Sequence, residues 1–289
     1  MIKDLEQLLN NGYYYRAQKK KETAILIIHG FAASPIEQKP LAEYLKDDYD
    51  IYAPILPGHK TNILDFSKQK YKNWLSFSEK IYEELLKEYS KVVLLGFSMG
   101  GTICLYLSTK KRPYKLITMS APINFLDPDF GKLILADWKR TNIRLSTIIS
   151  EINEISKKQS QTKRSTSEKI RMVINNIYRK SRKEFIKLNN ELLEYEDTYN
   201  EISTSAIQQI FELVKFVKKQ ISKVNADILI IHSKKDYLIP VSNSKEIMLS
   251  VSSNNVERFL LEESGHQVML DVEYEKVFKK IKEFLSREI

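Results

Sequence analysis

A chain of 289 residues, 43% of them hydrophobic, supports one sizeable α/β domain with an insertion and is too short for several domains of ordinary size. The opening Met1-Ile2-Lys3-Asp4-Leu5-Glu6 lacks the apolar core of a secretory leader, and no run approaches the length of a membrane span. The lone Cys104 and four histidines form no disulfide pair and no metal-type cluster, so a cytoplasmic protein without cofactor or metal is expected. The net charge of +9 is local: between Lys157 and Lys187 eleven Lys/Arg face two Glu, and only Tyr178 and Phe185 interleave them, which argues for a solvated basic surface and against a nucleic-acid site.

Taken in chain order, Ala24 to Ile28 is a short β-branched run with the pattern of a strand buried on both faces. It runs into His29-Gly30-Phe31-Ala32-Ala33-Ser34, where the glycine lets the chain turn sharply, and a helix over Ile36 to Lys46 follows. Beyond the Pro57-Gly58-His59 turn, a helix is expected from Trp74 to Tyr89 and a second buried strand from Val92 to Leu95. That strand leads into Gly96-Phe97-Ser98-Met99-Gly100, and helical character continues through Thr102 to Thr109. A Gly-x-Ser-x-Gly pattern is short, but between a strand and a helix it forces the serine into a strained turn and exposes its hydroxyl at the head of the sheet. Ser98 is therefore the candidate nucleophile, and Cys104 in the following helix is read as a small buried residue. A further strand over Lys115 to Met119 ends at Ala121-Pro122. Alternation of buried strands with helices predicts a mostly parallel, doubly wound sheet that binds ligands beyond the carboxyl ends of its strands.

From Lys132 to Asn225 there is no glycine and no proline, so a helical insertion is expected over residues 123–225 between core segments 1–122 and 226–289. Within it Ile207, Ile210, Val214, Val217 and Ile221 recur at three- and four-residue steps, one face of a helix. That stripe either packs on the sheet domain or, through Ile207, Ile210 and Val214, lines a substrate tunnel. The basic segment 157–187 lies in the same insertion, where contact with a membrane surface would be an addition to the chemistry and not an alternative to it.

The sheet resumes at Ile228 to Ile231, followed by His232-Ser233-Lys234-Lys235-Asp236. A last strand over Arg258 to Leu261 leads to Glu263-Ser264-Gly265-His266 and an amphipathic helix from Glu273 to Phe284. A serine hydroxyl needs a base, and where it sits on such a turn the acid and then the histidine follow it along the chain. His29 and His59 precede Ser98, and His232 reads as a packed strand-end residue, so His266 is the candidate base. Asp236 lies just beyond a buried strand and before His266, whereas Asp227 opens that strand at the wrong end and Asp271 reads as a helix cap; Asp236 is the candidate acid. Two backbone N–H groups must receive the oxyanion, and Met99 and Phe31 are placed to give them. His29, Phe97 and the apolar side chains of Phe31 and Met99 are candidate substrate contacts, with ordinary core packing the other reading for Phe97.

Together, His29 to Phe31, Pro57 to His59, Gly96 to Gly101, Asp236 and Ser264 to His266 followed by Asp271-x-Glu273 resemble the monoacylglycerol lipase and small bacterial carboxylesterase branch of the α/β-hydrolase family. The resemblance covers roughly residues 20 to 122 and 226 to 289, and it implies cofactor-free hydrolysis of carboxylic esters through an acyl-enzyme beneath an inserted lid. It does not reach the long insertion, and Lys60 stands where the branch has glycine. Esters of short- to medium-chain acids or monoacylglycerols are the expected substrates. Aromatic acyl esters, such as hydroxycinnamoyl esters, and a non-catalytic binding protein of the same fold are the alternatives.

Overall fold

Strands covered on both sides need apolar residues at successive positions, and the computed structural model sets such runs side by side in a seven-stranded sheet. It describes residues 9, 11–17, 21–124, 143–144, 201–202, 204–236 and 238–287. The strands are β1 (Tyr13–Tyr15), β2 (Thr23–Ile28), β3 (Asp50–Ala53), β4 (Lys91–Phe97) and β5 (Lys115–Met119), then β6 (Ile143–Arg144), β7 (Glu201–Ile202), β8 (Ile228–Ser233) and β9 (Val256–Leu261). The helices are α1 (Lys39–Leu45), α2 (Ile63–Lys68), α3 (Tyr71–Glu88), α4 (Met99–Lys110), α5 (Thr204–Lys218), α6 (Ser242–Ser250) and α7 (Tyr274–Ser286).

The spatial order is β1-β3-β2-β4-β5-β8-β9; β1 pairs antiparallel with β3, and every other pairing in this sheet is parallel. Side chains alternate across the sheet. Leu26, Ile28, Leu94 and Ile230 pack with Trp74, Ile81 and Leu85 of α3, Ile103 and Leu107 of α4, and Leu213 and Val217 of α5. Ile25, Ile27, Val93, Leu95 and Ile231 pack on the opposite face with Leu41 and Leu45 of α1 and Val277, Ile281 and Phe284 of α7. From β2 the chain goes to β3 on one side and then returns past β2 to β4 on the other. The crevice between the carboxyl ends of β2 and β4 is thus a topological switch point, the place where open α/β sheets bind ligands.

Within the described residues the expected strands and helices are present, with differences at their ends and additions between them, while the helical insertion expected over 123–225 lies outside the described residues at 125–142, 145–200 and 203. The helix expected at Ile36 begins as a 3₁₀ turn over Pro35–Gln38 before α1. Strand β1, at the edge, has only three residues and alternates in burial, too short a signal to stand out. Helix α5 was assigned to the insertion, but Ile210, Leu213, Val217 and the following Ile221 join the core cluster. Gln209 on α5 accepts the N–H of Tyr71 at 3.1 Å, and Phe216 lies against the rings of Tyr71 and Tyr106. Of the two readings of this apolar stripe, packing on the sheet domain holds for Ile210, while Ile207 and Val214 are buried outside both core clusters. β6 and β7 pair antiparallel, bringing Ile143 beside Ile202. The basic segment 157–187 lies outside the described residues. Among the described residues no helix is long and apolar enough to cross a membrane.

Candidate active site

Helix α4 starts directly on β4, and Ser98 between them takes a left-handed backbone with φ 52°. Such a conformation costs a side-chain-bearing residue on the order of 1 kcal/mol or more and persists only where the surroundings enforce it. Here its N–H is held by the carbonyl of Met119 on the adjacent strand at 2.8 Å. The motif's glycines serve close approach: a Cβ on Gly96 would overlap the backbone of Gly100 and Gly101, and one on Gly100 would overlap the carbonyls of Ile28 and His29. Neither position has room for alanine without moving the turn.

Two loops from the far half of the sheet complete the arrangement. His266 Nε2 lies 3.1 Å from Ser98 Oγ, and His266 Nδ1 lies 2.8 Å from Asp236 Oδ2. The backbone N–H groups of Leu238 and Ile239 donate to Asp236 Oδ1 at 3.1 and 2.9 Å. Burial alone would raise the Asp236 carboxyl pKa, but the His266 charge and hydrogen bonds from His232 and His266 outweigh it and hold the group well below the usual carboxylate range. All three side chains are buried, with Ser98 7% exposed and His266 6%, so substrate would meet them in a largely desolvated site.

Residues beyond Ser98, Asp236 and His266 hold the histidine loop. Ser120 at the end of β5, itself left-handed with φ 49°, donates its hydroxyl to the carbonyl of His266 at 3.1 Å. Glu273 accepts from the N–H groups of Glu263 and Ser264 at 2.8 and 2.9 Å and from the Ser264 hydroxyl at 3.1 Å. Asp271 takes the Gly265 N–H at 2.6 Å; its side chain braces the histidine loop and does not cap α7. In the sequence Asp271-x-Glu273 stands out only as part of the family resemblance, with Asp271 read as a helix cap, and nothing marks Ser120.

On the other side of Ser98, the loop after β2 presents Phe31, and among the described residues neither its N–H nor that of Met99 has a hydrogen-bond acceptor. Met99 opens α4, so its amide is one of the orphan donors of a helix N-terminus. Ala32, with φ 52°, gives its N–H to His59 Nε2 at 3.3 Å. The Phe31 ring packs against Phe66 and Trp74, and Trp74 Nε1 donates to Pro57 O at 3.0 Å, which fixes this loop to the Pro57-Gly58-His59 turn. Lys60 adopts φ 56°, keeping the backbone sense that glycine would favour there.

Three of the expected substrate contacts lie elsewhere. His29 is fully buried, accepting the Leu56 N–H on Nε2 at 3.0 Å and donating Nδ1–H to the Gly30 carbonyl at 2.8 Å, so it ties two loops together and leaves no nitrogen for a ligand. Phe97 is 2% exposed and packs in the core beneath the His266 ring. The side chain of Met99 is in the opposite core cluster, leaving only its backbone to face the site. Cys104 is buried in α4, where desolvation pushes its thiol pKa up and favours the unreactive form. Among the described residues no three His, Cys, Asp or Glu side chains are grouped to hold a metal ion.

A parallel sheet with a strained serine at its switch point, and with the acid and histidine on loops after later strands, defines an α/β-hydrolase. Residues 19–273 match the Hydrolase_4 family, serine aminopeptidase, S33, and the chain belongs to that family. It is 24% identical over 265 residues to a thermostable monoacylglycerol lipase of a Bacillus species, covering 91% of this chain and 90% of the relative. A carboxylesterase of Bacillus subtilis is 20% identical over 271 residues, with 93% and 94% covered. The crystal structure of the Paleococcus ferrophilus monoacylglycerol lipase superposes with a TM-score of 0.69 at 15% identity, covering 94% of this chain and 96% of that one.

Proposed function

We propose that this protein is a serine-dependent carboxylic ester hydrolase acting through an acyl-enzyme, and the continuous hydrogen-bonded chain from Ser98 through His266 to Asp236 carries that reading. In the first half-reaction His266 Nε2 takes the Ser98 proton as Oγ attacks the ester carbonyl, and the developing oxyanion is received by the N–H groups of Phe31 and Met99. The imidazolium then protonates the departing alcohol. In the second half-reaction water, deprotonated by His266, attacks the acyl-enzyme and the same two amides receive its oxyanion; collapse of this intermediate breaks the bond to Ser98 Oγ, His266 returns the proton to that oxygen, and the carboxylic acid leaves. Asp236 stays ionised, fixes the tautomer and stabilises the imidazolium.

Uncharged esters of short- to medium-chain acids or monoacylglycerols fit the apolar surroundings, and relatives named for monoacylglycerol and carboxylic ester cleavage support that class. We assign Ile207 and Val214, buried on α5 outside the core clusters, to the acyl side of the pocket, and residues from the 123–225 insertion to its lid. A fluorophosphonate probe followed by peptide mass analysis is expected to label Ser98 alone, with stoichiometric modification and loss of para-nitrophenyl butyrate cleavage. Labelling and ester cleavage that persist in Ser98→Ala would overturn the reading. A panel of butyrate, monoacylglycerol, hydroxycinnamoyl ester and aminoacyl anilide substrates separates the acyl classes.

A further inference from the structure

From the sequence His232 reads as a packed strand-end residue. Its side chain is fully buried, yet its Nε2 lies 3.3 Å from Asp236 Oδ2, the same oxygen that meets His266. The Ile239 carbonyl is the second neighbour of this nitrogen, at 3.0 Å, while Nδ1 is buried and has no hydrogen-bond partner among the described residues. Both neighbours of Nε2 are acceptors, so the proton belongs on Nε2, where it is bonded to the Ile239 carbonyl with the carboxylate oxygen close beside it. A leucine or phenylalanine would fill a strand-end site without burying an unpartnered nitrogen, a cost that leaves the donor as what histidine supplies here.

Its place in the fold gives the contact a consequence. Asp236 stands on a loop, and its Oδ1 is fixed by two amides of that same loop. Oδ2 has two imidazole neighbours: His266, which must change charge during the reaction, and His232, held in β8 between β5 and β9. Only the second is anchored in the central sheet. Resting on the ester-hydrolase reading above, we propose that His232 is a positioning residue that ties the Asp236 carboxylate to the sheet and keeps Oδ2 directed at His266 while the imidazole gains and loses its proton. It touches no substrate and acts through Asp236.

The test compares His232→Leu, which removes the donor at similar volume, with His232→Gln, whose amide nitrogen reaches the Nε2 position, and His232→Asn, whose amide does not. On para-nitrophenyl butyrate, Leu and Asn are expected to lower kcat about tenfold with KM nearly unchanged, and Gln to stay within about threefold of wild type. In an Asp236→Asn background, His232→Leu is expected to change kcat by less than about twofold, because the group it positions is already gone. A structural role alone would lower thermal stability in all three variants without this pattern. Should His232→Leu not fold, equal kcat in the Gln and Asn variants overturns the proposal. So does wild-type kcat in His232→Leu, or the same fold-loss with and without Asp236. Ser98→Ala run alongside separates the two levels: full activity there overturns the function and this inference with it, whereas an inactive Ser98→Ala beside an unimpaired His232→Leu overturns the inference alone.

Discussion

The hydroxyl of Ser120 donates to the main-chain carbonyl of His266, 3.1 Å away across a sequence separation of 146 residues. This bond joins the end of β5 to the loop after β9 and limits how far the imidazole can swing from Ser98. Removing a hydrogen bond of this kind costs about 1 kcal/mol, which corresponds to roughly fivefold if it is felt in the transition state. Ser120→Ala and Ser120→Gly are therefore both expected to lower kcat by roughly that factor. They should differ in stability, because glycine accepts the left-handed backbone at φ 49° without the Cβ strain of about 1 kcal/mol that alanine retains. Chemical denaturation and steady-state kinetics on the same preparations separate the two effects. Unchanged kcat in both variants would show that the bond does not hold the histidine.

Glu273 gathers two backbone amides and one hydroxyl of the loop that carries His266. Glu273→Ala leaves these buried donors unpaired, an expected loss of about 2 to 3 kcal/mol in stability after partial rescue by water. Glu273→Gln keeps one acceptor oxygen and should fall between alanine and wild type. Because the loop also positions His266, the proposed base, kcat should follow the same order. Equal melting temperatures for all three proteins would remove this residue from the support of the site.

Two buried histidines make the fold sensitive to acid in a particular window. Desolvation lowers the His29 pKa to about 4 and also depresses that of His59, whose ring lies 4.7 Å from the His29 ring, centroid to centroid. Between that value and the unfolded pKa of about 6.5, the unfolded chain binds more protons than the folded one. Stability is thus complete above about pH 6.5 and declines as pH falls toward 4, with His29 alone contributing a loss on the order of 2 kcal/mol by pH 5. Glu273, whose carboxyl is held at about 2, adds a loss only below the ordinary glutamate range near pH 4.3. Urea midpoints measured from pH 7.5 to 5 should show the histidine window. His59→Gln, whose amide oxygen can still accept the Ala32 N–H, should flatten it. A midpoint that does not move over this range would count against both histidines.

Much of the site was legible along the chain because it is written in local chemistry. Glycines at 96 and 100 between a buried strand and a helix mark a tight strand-to-helix turn whatever lies around them, and the strained Ser98 is found there. Asp236 and His266 could be selected by order and by their place after buried strands, and the two lie 2.8 Å apart. The short strand β1 and the support from Ser120 carried no such mark. A three-residue edge strand has no period to detect, and a serine at a strand end is ordinary until the register of neighbouring strands sets it beneath a carbonyl.

The sequence by itself marked the buried strands of the sheet, the turn that strains Ser98, and Ser98, Asp236 and His266 in that order as candidate nucleophile, acid and base, since these follow from apolar periodicity, glycine and chain direction. Only the tertiary structure decided which way the remaining side chains face. His29, Phe97 and the Met99 side chain turned out to be committed to loops and core, while His232, read as packing, lies against the Asp236 carboxylate. The physical reason is that one face or the other of a strand end is chosen by the register and packing of the whole sheet. A residue type beside a motif specifies the chemistry it can perform, but not the neighbour that it meets.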